Sequence, residues 1–216
     1  PSANPKGELF TMIFGYNYGS VTHGFASGES YASINGEKCL ETKYMGDGQL
    51  RCKYPPGSGP ASEVTVSGVA GLASIPTRGA FDYAKPIVSK VTPNHLPTTG
   101  GEITIKGYYF GECLSTTKRC VVPKTYVNDV QCVKENRVSN EEIKCTVPAG
   151  IGAKLNVKVD LDRQVSNPNS FFSYDQPTIE KLSILHGPAT GGYDVDIDGT
   201  NFGTDPKVEK QGRVKW

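Results

Sequence analysis

Gly15-Tyr16-Asn17-Tyr18-Gly19 returns as Gly107-Tyr108-Tyr109-Phe110-Gly111, and again as Gly199-Thr200-Asn201-Phe202-Gly203. The step is the same both times: 107 − 15 = 92 and 199 − 107 = 92. A fixed period of this kind marks repeated structural units. Working outward, the turn Pro97-Thr98-Thr99-Gly100-Gly101 recurs as Pro188-Ala189-Thr190-Gly191-Gly192, while the first copy offers only Pro5-Lys6-Gly7. Ile34-Asn35-Gly36 matches Val127-Asn128-Asp129, and Cys52-Lys53-Tyr54-Pro55-Pro56-Gly57 matches Cys145-Thr146-Val147-Pro148-Ala149-Gly150. Copies close on Phe81-Asp82-Tyr83 and Phe172-Ser173-Tyr174. The expected units are 1–84, 85–175 and a partial third at 176–216, with the first unit's true start upstream of Pro1.

Between these landmarks the apolar residues alternate, as in Glu102-Ile103-Thr104-Ile105-Lys106. A period of two is the mark of a half-buried strand. The nearest approach to a helix, the charged stretch Lys134 to Glu142, lacks an apolar stripe. About seven short strands with turn signals in ~90 residues is the size of an Ig-like sandwich. The predicted class is all-β: tandem Ig-like β-sandwiches joined by short linkers into a stiff rod.

The Pro-x-x-Gly-Gly turn, the strand Ile103-Thr104-Ile105, the Gly-x-x-Phe-Gly turn at 107–111 and the Cys-x-x-Pro-x-Gly at 145–150 resemble the IPT/TIG family (Ig-like, plexins, transcription factors). The resemblance implies an early-set Ig-like sandwich used for protein contacts. Extracellular members include plexin-type receptor ectodomains and the adhesion and allorecognition proteins of social amoebae. Intracellular members are dimerisation or DNA-contacting domains.

Cys39 and Cys52 stand 13 apart, as do Cys132 and Cys145 at the equivalent places, so each pair is expected to close within its own unit. Cys113 and Cys120 are extra to unit two and predict a stapled loop. Such pairs imply an oxidising compartment, extracellular or at the cell surface. No Cys-x-x-Cys occurs and there are three histidines, so no metal site and no cofactor is expected. No Gly-x-Ser-x-Gly elbow and no phosphate-cradling loop is present, and no catalytic residue is assigned. A net charge of +1 gives no footprint for nucleic acid. No apolar run approaches the ~20 residues of a bilayer span. Direct membrane contact is therefore not expected of this stretch, although its parent is expected to be membrane-anchored.

Asp194-Val195-Asp196-Ile197-Asp198-Gly199 imitates a calcium loop, but the repeat puts it on the strand that carries Ile103 and Ile105. Its aspartates are then a solvated strand face. His95 and His186 hold equivalent places beside a turn and are read as structural. The same overlay isolates a contrast. Outward positions carry Glu102, Thr104 and Lys106 in unit two and Asp194, Asp196 and Asp198 in unit three, but Phe10, Met12 and Phe14 in unit one. An exposed apolar stripe marks an interaction surface. The loop that follows interleaves Tyr16, His23, Phe25 and Tyr31 with Gly and Ser, a paratope-like composition. These seven residues form the candidate protein-binding set. The expected function is non-enzymatic recognition or adhesion, with another cell-surface protein, homophilic or heterophilic, as partner. A passive receptor stalk and an accessory domain of a secreted carbohydrate-active enzyme are the alternatives.

Overall fold

A computed structural model describes residues 9–18, 30–68, 72–112, 121–203 and the backbone of 213–214. All named elements are strands. The first group is β1 (Phe10–Phe14), β2 (Tyr31–Ile34), β3 (Glu37–Lys38), β4 (Glu41–Gly46), β5 (Gln49–Lys53), β6 (Ser62–Ser67) and β7 (Thr77–Phe81). The second is β8 (Ile87–Thr92), β9 (His95–Leu96), β10 (Gly101–Tyr108), β11 (Lys124–Val127), β12 (Val130–Gln131), β13 (Lys134–Ser139), β14 (Glu142–Val147), β15 (Val157–Leu161), β16 (Gln164–Val165) and β17 (Ser173–Tyr174). The last is β18 (Thr178–Leu182), β19 (Val195–Thr200) and β20 (Arg213–Val214).

In the first group, sheet β1-β5-β4 faces sheet β3-β2-β6-β7. The core between them holds Leu50 and Cys52 from one sheet and Ala32, Ile34, Val66 and Phe81 from the other. In the second group, β13-β14-β10-β8 faces β12-β11-β15-β16. Ile103, Ile105, Ile143 and Val147 meet Val127, Val157 and Val159 there. Each is a two-layer sandwich with one buried face per sheet. The third group is a sheet ordered β18-β19-β20.

Lys134–Ser139, within the one stretch with any helical look, is strand β13, paired antiparallel to β14. Strand pairing decides it, because Glu135 and Arg137 turn inward while Lys134 and Asn136 stay in solvent.

The repeated motifs have physical reasons. Asn35-Gly36 and Asn128-Asp129 both take positive φ, as a two-residue hairpin turn requires. Asn17, Tyr109 and Asn201, the third residues of the three Gly-turn copies, all sit near φ +60 (64, 65 and 60). Tyr83 donates its hydroxyl to the Pro55 carbonyl at 2.9 Å, and Tyr174 does the same to Pro148 at 2.7 Å. Each ring lies against the last glycine of the Cys-x-x-Pro-x-Gly motif. A Cβ on Gly57 would stand 2.4 Å from the Tyr83 ring, and one on Gly150 2.6 Å from the Tyr174 hydroxyl. The motif thus encodes a tyrosine latch.

Cys39 pairs with Cys52 and Cys132 with Cys145, each at a sequence separation of 13. Each bridge ties the segment after a short strand of one sheet to a central strand of the other. Closing a loop of this size stabilises a fold by roughly 3 kcal/mol. Cys113 and Cys120 lie outside the described residues. Between the two cores, Gln164 Nε2 donates to the Tyr83 carbonyl at 2.8 Å, and Ser58 Oγ to Asp162 at 3.4 Å.

Candidate protein-binding face

β1 alternates, with Thr11 and Ile13 half-buried and Phe10, Met12 and Phe14 exposed. Ile13 packs against the first core. The three outward side chains are 44%, 38% and 74% exposed, too open to count as core. Residues two apart on a strand share a face, so the three form one stripe. Tyr16 follows it at 90% exposure.

Register fixes the stripe's neighbours. Phe10 lies opposite Lys53, Met12 opposite Arg51 and Phe14 opposite Gln49. Beyond β5, Glu41 lies opposite Lys53 and Lys43 opposite Arg51. Arg51 stacks its guanidinium 4.2 Å from the Phe10 ring centroid and stands 3.7 Å from Glu41. Such a cation over a ring contributes about 0.5–1 kcal/mol where exposed. The face is an apolar row bordered by a basic one. Arg51 is a member that the repeat overlay did not find, because its neighbours are set by cross-strand register and not by sequence distance. Met45, exposed at the bulge where β4 meets Gln49, is a second.

The rest of the candidate set does not converge on this stripe. Tyr31 opens β2 in the opposite sheet, paired with Ser67, and its ring carries the Lys38 ammonium at 3.9 Å. His23 and Phe25 lie outside the described residues. Among the described residues, no group of three His, Cys, Asp or Glu side chains is placed to hold a metal ion. Asp196 and Asp198 are exposed along β19, and Asp194 just ahead of it, while Val195 and Ile197 turn inward. No helix of the described residues is long and apolar enough to cross a membrane.

The shifted hydroxyls are structural. Burial pushes Tyr83 above the ordinary tyrosine range, with the neighbouring Tyr54 and Glu37 adding to it. Burial raises Tyr174 and Tyr18 likewise. Lys158 is raised by its hydrogen bond to Asp129, at 2.7 Å, on a surface hairpin.

A pair of facing antiparallel sheets with an exposed apolar stripe defines an all-β, Ig-like sandwich protein. Residues 86–174 match the model of the IPT/TIG domain. Similar solved structures include the full extracellular region of plexin A4, at 20% identity and TM-score 0.40, over 92% of this chain and 17% of that one. Another is the surface glycan-binding protein PbSGBP-B from Prevotella bryantii, at 16% identity and TM-score 0.47, over 75% of this chain and 36% of that one. A third is SGBP-B from a xyloglucan utilization locus of Bacteroides uniformis, at 13% identity and TM-score 0.32, over 79% and 43%. The chain spans less than half the length of each.

Proposed function

We propose that this chain is part of an extracellular, non-enzymatic recognition or adhesion protein that binds another cell-surface protein through the outward face of β1. Its units are 1–84, 85–175 and a partial copy at 176–216, all of IPT/TIG type. Two findings support an oxidising location: the Cys39–Cys52 and Cys132–Cys145 bridges each join one sheet to the other. The observation that carries the binding reading is the Phe10, Met12 and Phe14 stripe, exposed where the equivalent strand of unit two presents Glu102, Thr104 and Lys106. Exposed aromatic and Met side chains beside an Arg have the composition of an interface centre.

The test is Met12→Asp. Binding of labelled chain to cells of the source organism, and self-association by sedimentation, cover heterophilic and homophilic partners. The substitution is expected to weaken the observed binding at least ~10-fold, with thermal stability changed by no more than about 0.5 kcal/mol. Undiminished binding would sink this face as the contact. No binding by either chain would leave the passive stalk as the reading.

A further inference from the structure

Cations outnumber acids on the outward face beside the stripe. Register sets two rows across β1, β5 and β4: Phe10, Lys53 and Glu41 in one, Met12, Arg51 and Lys43 in the next. Lys43 and Glu41 are exposed, and Arg51 and Lys53 are half-buried. Arg51 and Lys43 are thus like charges directly opposite on neighbouring strands, an arrangement that destabilises a sheet. Glu41, 3.7 Å from Arg51, is the one acid in these rows. Among the described residues, neither Lys43 nor Lys53 stands within ion-pair distance of a carboxylate.

Unit two balances the equivalent face within its own sheet. The paired cysteines step by 132 − 39 = 93, and the same step carries Arg51 to Lys144, Lys43 to Asn136 and Gln49 to Glu142. Lys144 lies opposite Asn136 on one side and Thr104 on the other, so it meets no like charge. Its acid is Glu102, at 3.9 Å, which holds the place of Phe10. Lys106 meets Glu142 at the same distance. Unit one therefore lacks both of those acids and gains a cation at Lys43. All three positions face away from the core, which Leu50, Cys52 and Tyr44 meet from the other side of β5 and β4.

We propose that this face takes a partner protein whose contact surface is acidic as well as apolar. A carboxylate of the partner lies over the Lys43 and Arg51 pair, and its apolar side chains lie along Phe10, Met12 and Phe14. Arg51 joins the two halves, because its guanidinium also covers the Phe10 ring at 4.2 Å. The anion that unit two draws from its own strands comes, in unit one, from the partner. Opposed charge across an interface speeds encounter and rejects wrong partners. Three cations interrupted by Glu41 fall short of the roughly 4–8 basic residues of a lipid-binding cluster, which favours a protein over a membrane. The inference rests on the outward-face reading and adds to it the sign of the partner's charge.

The probe is a short synthetic peptide repeating Glu-Glu-Phe-Phe, set against its counterpart repeating Lys-Lys-Phe-Phe. Each is titrated into the whole chain and read through the Met12 and Arg51 amides. The acidic peptide is expected to bind at least ~10-fold more tightly and to weaken as salt is raised. Lys43→Glu should weaken it ~10-fold or more and should melt no lower than the parent, because a repulsion becomes an attraction. A lower midpoint in that variant would contradict the like-charge premise and overturn the inference. Equal binding of the two peptides, lost in Met12→Asp, overturns the charge and leaves the outward face standing. Binding indifferent to Met12→Asp sinks both readings. Failure of the acidic peptide to bind overturns this inference, and uptake by vesicles containing phosphatidylserine would then assign the anion to lipid.

Discussion

The outward faces of β1–β5 and β10–β14 share a backbone and differ in everything that backbone presents. On β10, Glu102 pairs diagonally with Lys144 and Lys106 pairs directly across with Glu142, at 3.9 Å in each case. On β1 the same positions hold Phe10, Met12 and Phe14, beside Lys53, Arg51 and Gln49. Inward positions do not diverge in this way. Ile13 and Ile105 both turn to a core, and Ile197 is half-buried in its own strand. The cores constrain one side of the strand and leave the other free to vary. The proposed contact outside the sandwich would account for the apolar residues on the free side of β1. Edges differ as well: β10 is flanked on both sides and β1, among the described residues, on one.

The largest expected effect separates the two sandwiches by their bridges. Cys52→Ser and Cys145→Ser should each cost roughly 3 kcal/mol. The loss in unit one should be enough to open it first, since among the described residues its buried core is the smaller of the two. Exchange of the Leu50 and Ile143 amides reports each core separately. If the unit-two amides were released first, the ranking of the two sandwiches would be reversed.

A glycine exchange sharpens the edge contrast. Gly107→Ala sets a Cβ against a backbone carbonyl that cannot move without shifting β8, and should cost about 2–3 kcal/mol as an overpacking change. Among the described residues, a Cβ on Gly15 meets first the tip of the Tyr18 side chain and not a backbone carbonyl, so Gly15→Ala should cost less, about 1 kcal/mol. Urea denaturation of the two variants decides it. Equal losses would mean that a strand already crowds Gly15.

The smallest effect tests what the sandwiches have in common. Tyr83→Phe and Tyr174→Phe each remove one hydroxyl-to-carbonyl bond, worth about 1 kcal/mol at neutral pH. Because burial raises both hydroxyls, the folded chain keeps protons that the unfolded chain gives up near the ordinary tyrosine pKa of about 10. That stabilisation is complete below about pH 10 and is lost as pH climbs further. Thermal midpoints measured from pH 8 to 11 should fall for the parent chain and fall less for either Phe variant. Parallel curves would contradict the latch.

Much of this was legible in the order of residues. Gly-turns spaced by 92, cysteines spaced by 13 and alternation in Ile103-Thr104-Ile105 are local or periodic signals, and a strand expresses them directly through its two faces. The Phe10, Met12 and Phe14 stripe was legible for the same reason. The charged stretch Lys134–Ser139 was not, since its inward residues are Glu135 and Arg137, and the pattern of apolar positions is silent there. Tyr31 could not be told from the stripe because loop composition carries no information about which sheet the next strand joins.

What the sequence alone determined is the unit: its length, its strand alternation, its paired cysteines and its closing tyrosines. These depend on spacing along the chain, which is written residue by residue. Which side chains share a face with the stripe, that Arg51 covers Phe10, that Gln164 reaches the Tyr83 carbonyl, and that Lys43 stands across from Arg51, only the tertiary structure decided. All four depend on distances between residues far apart in sequence, and register and packing set those distances only once the sheets have closed on each other.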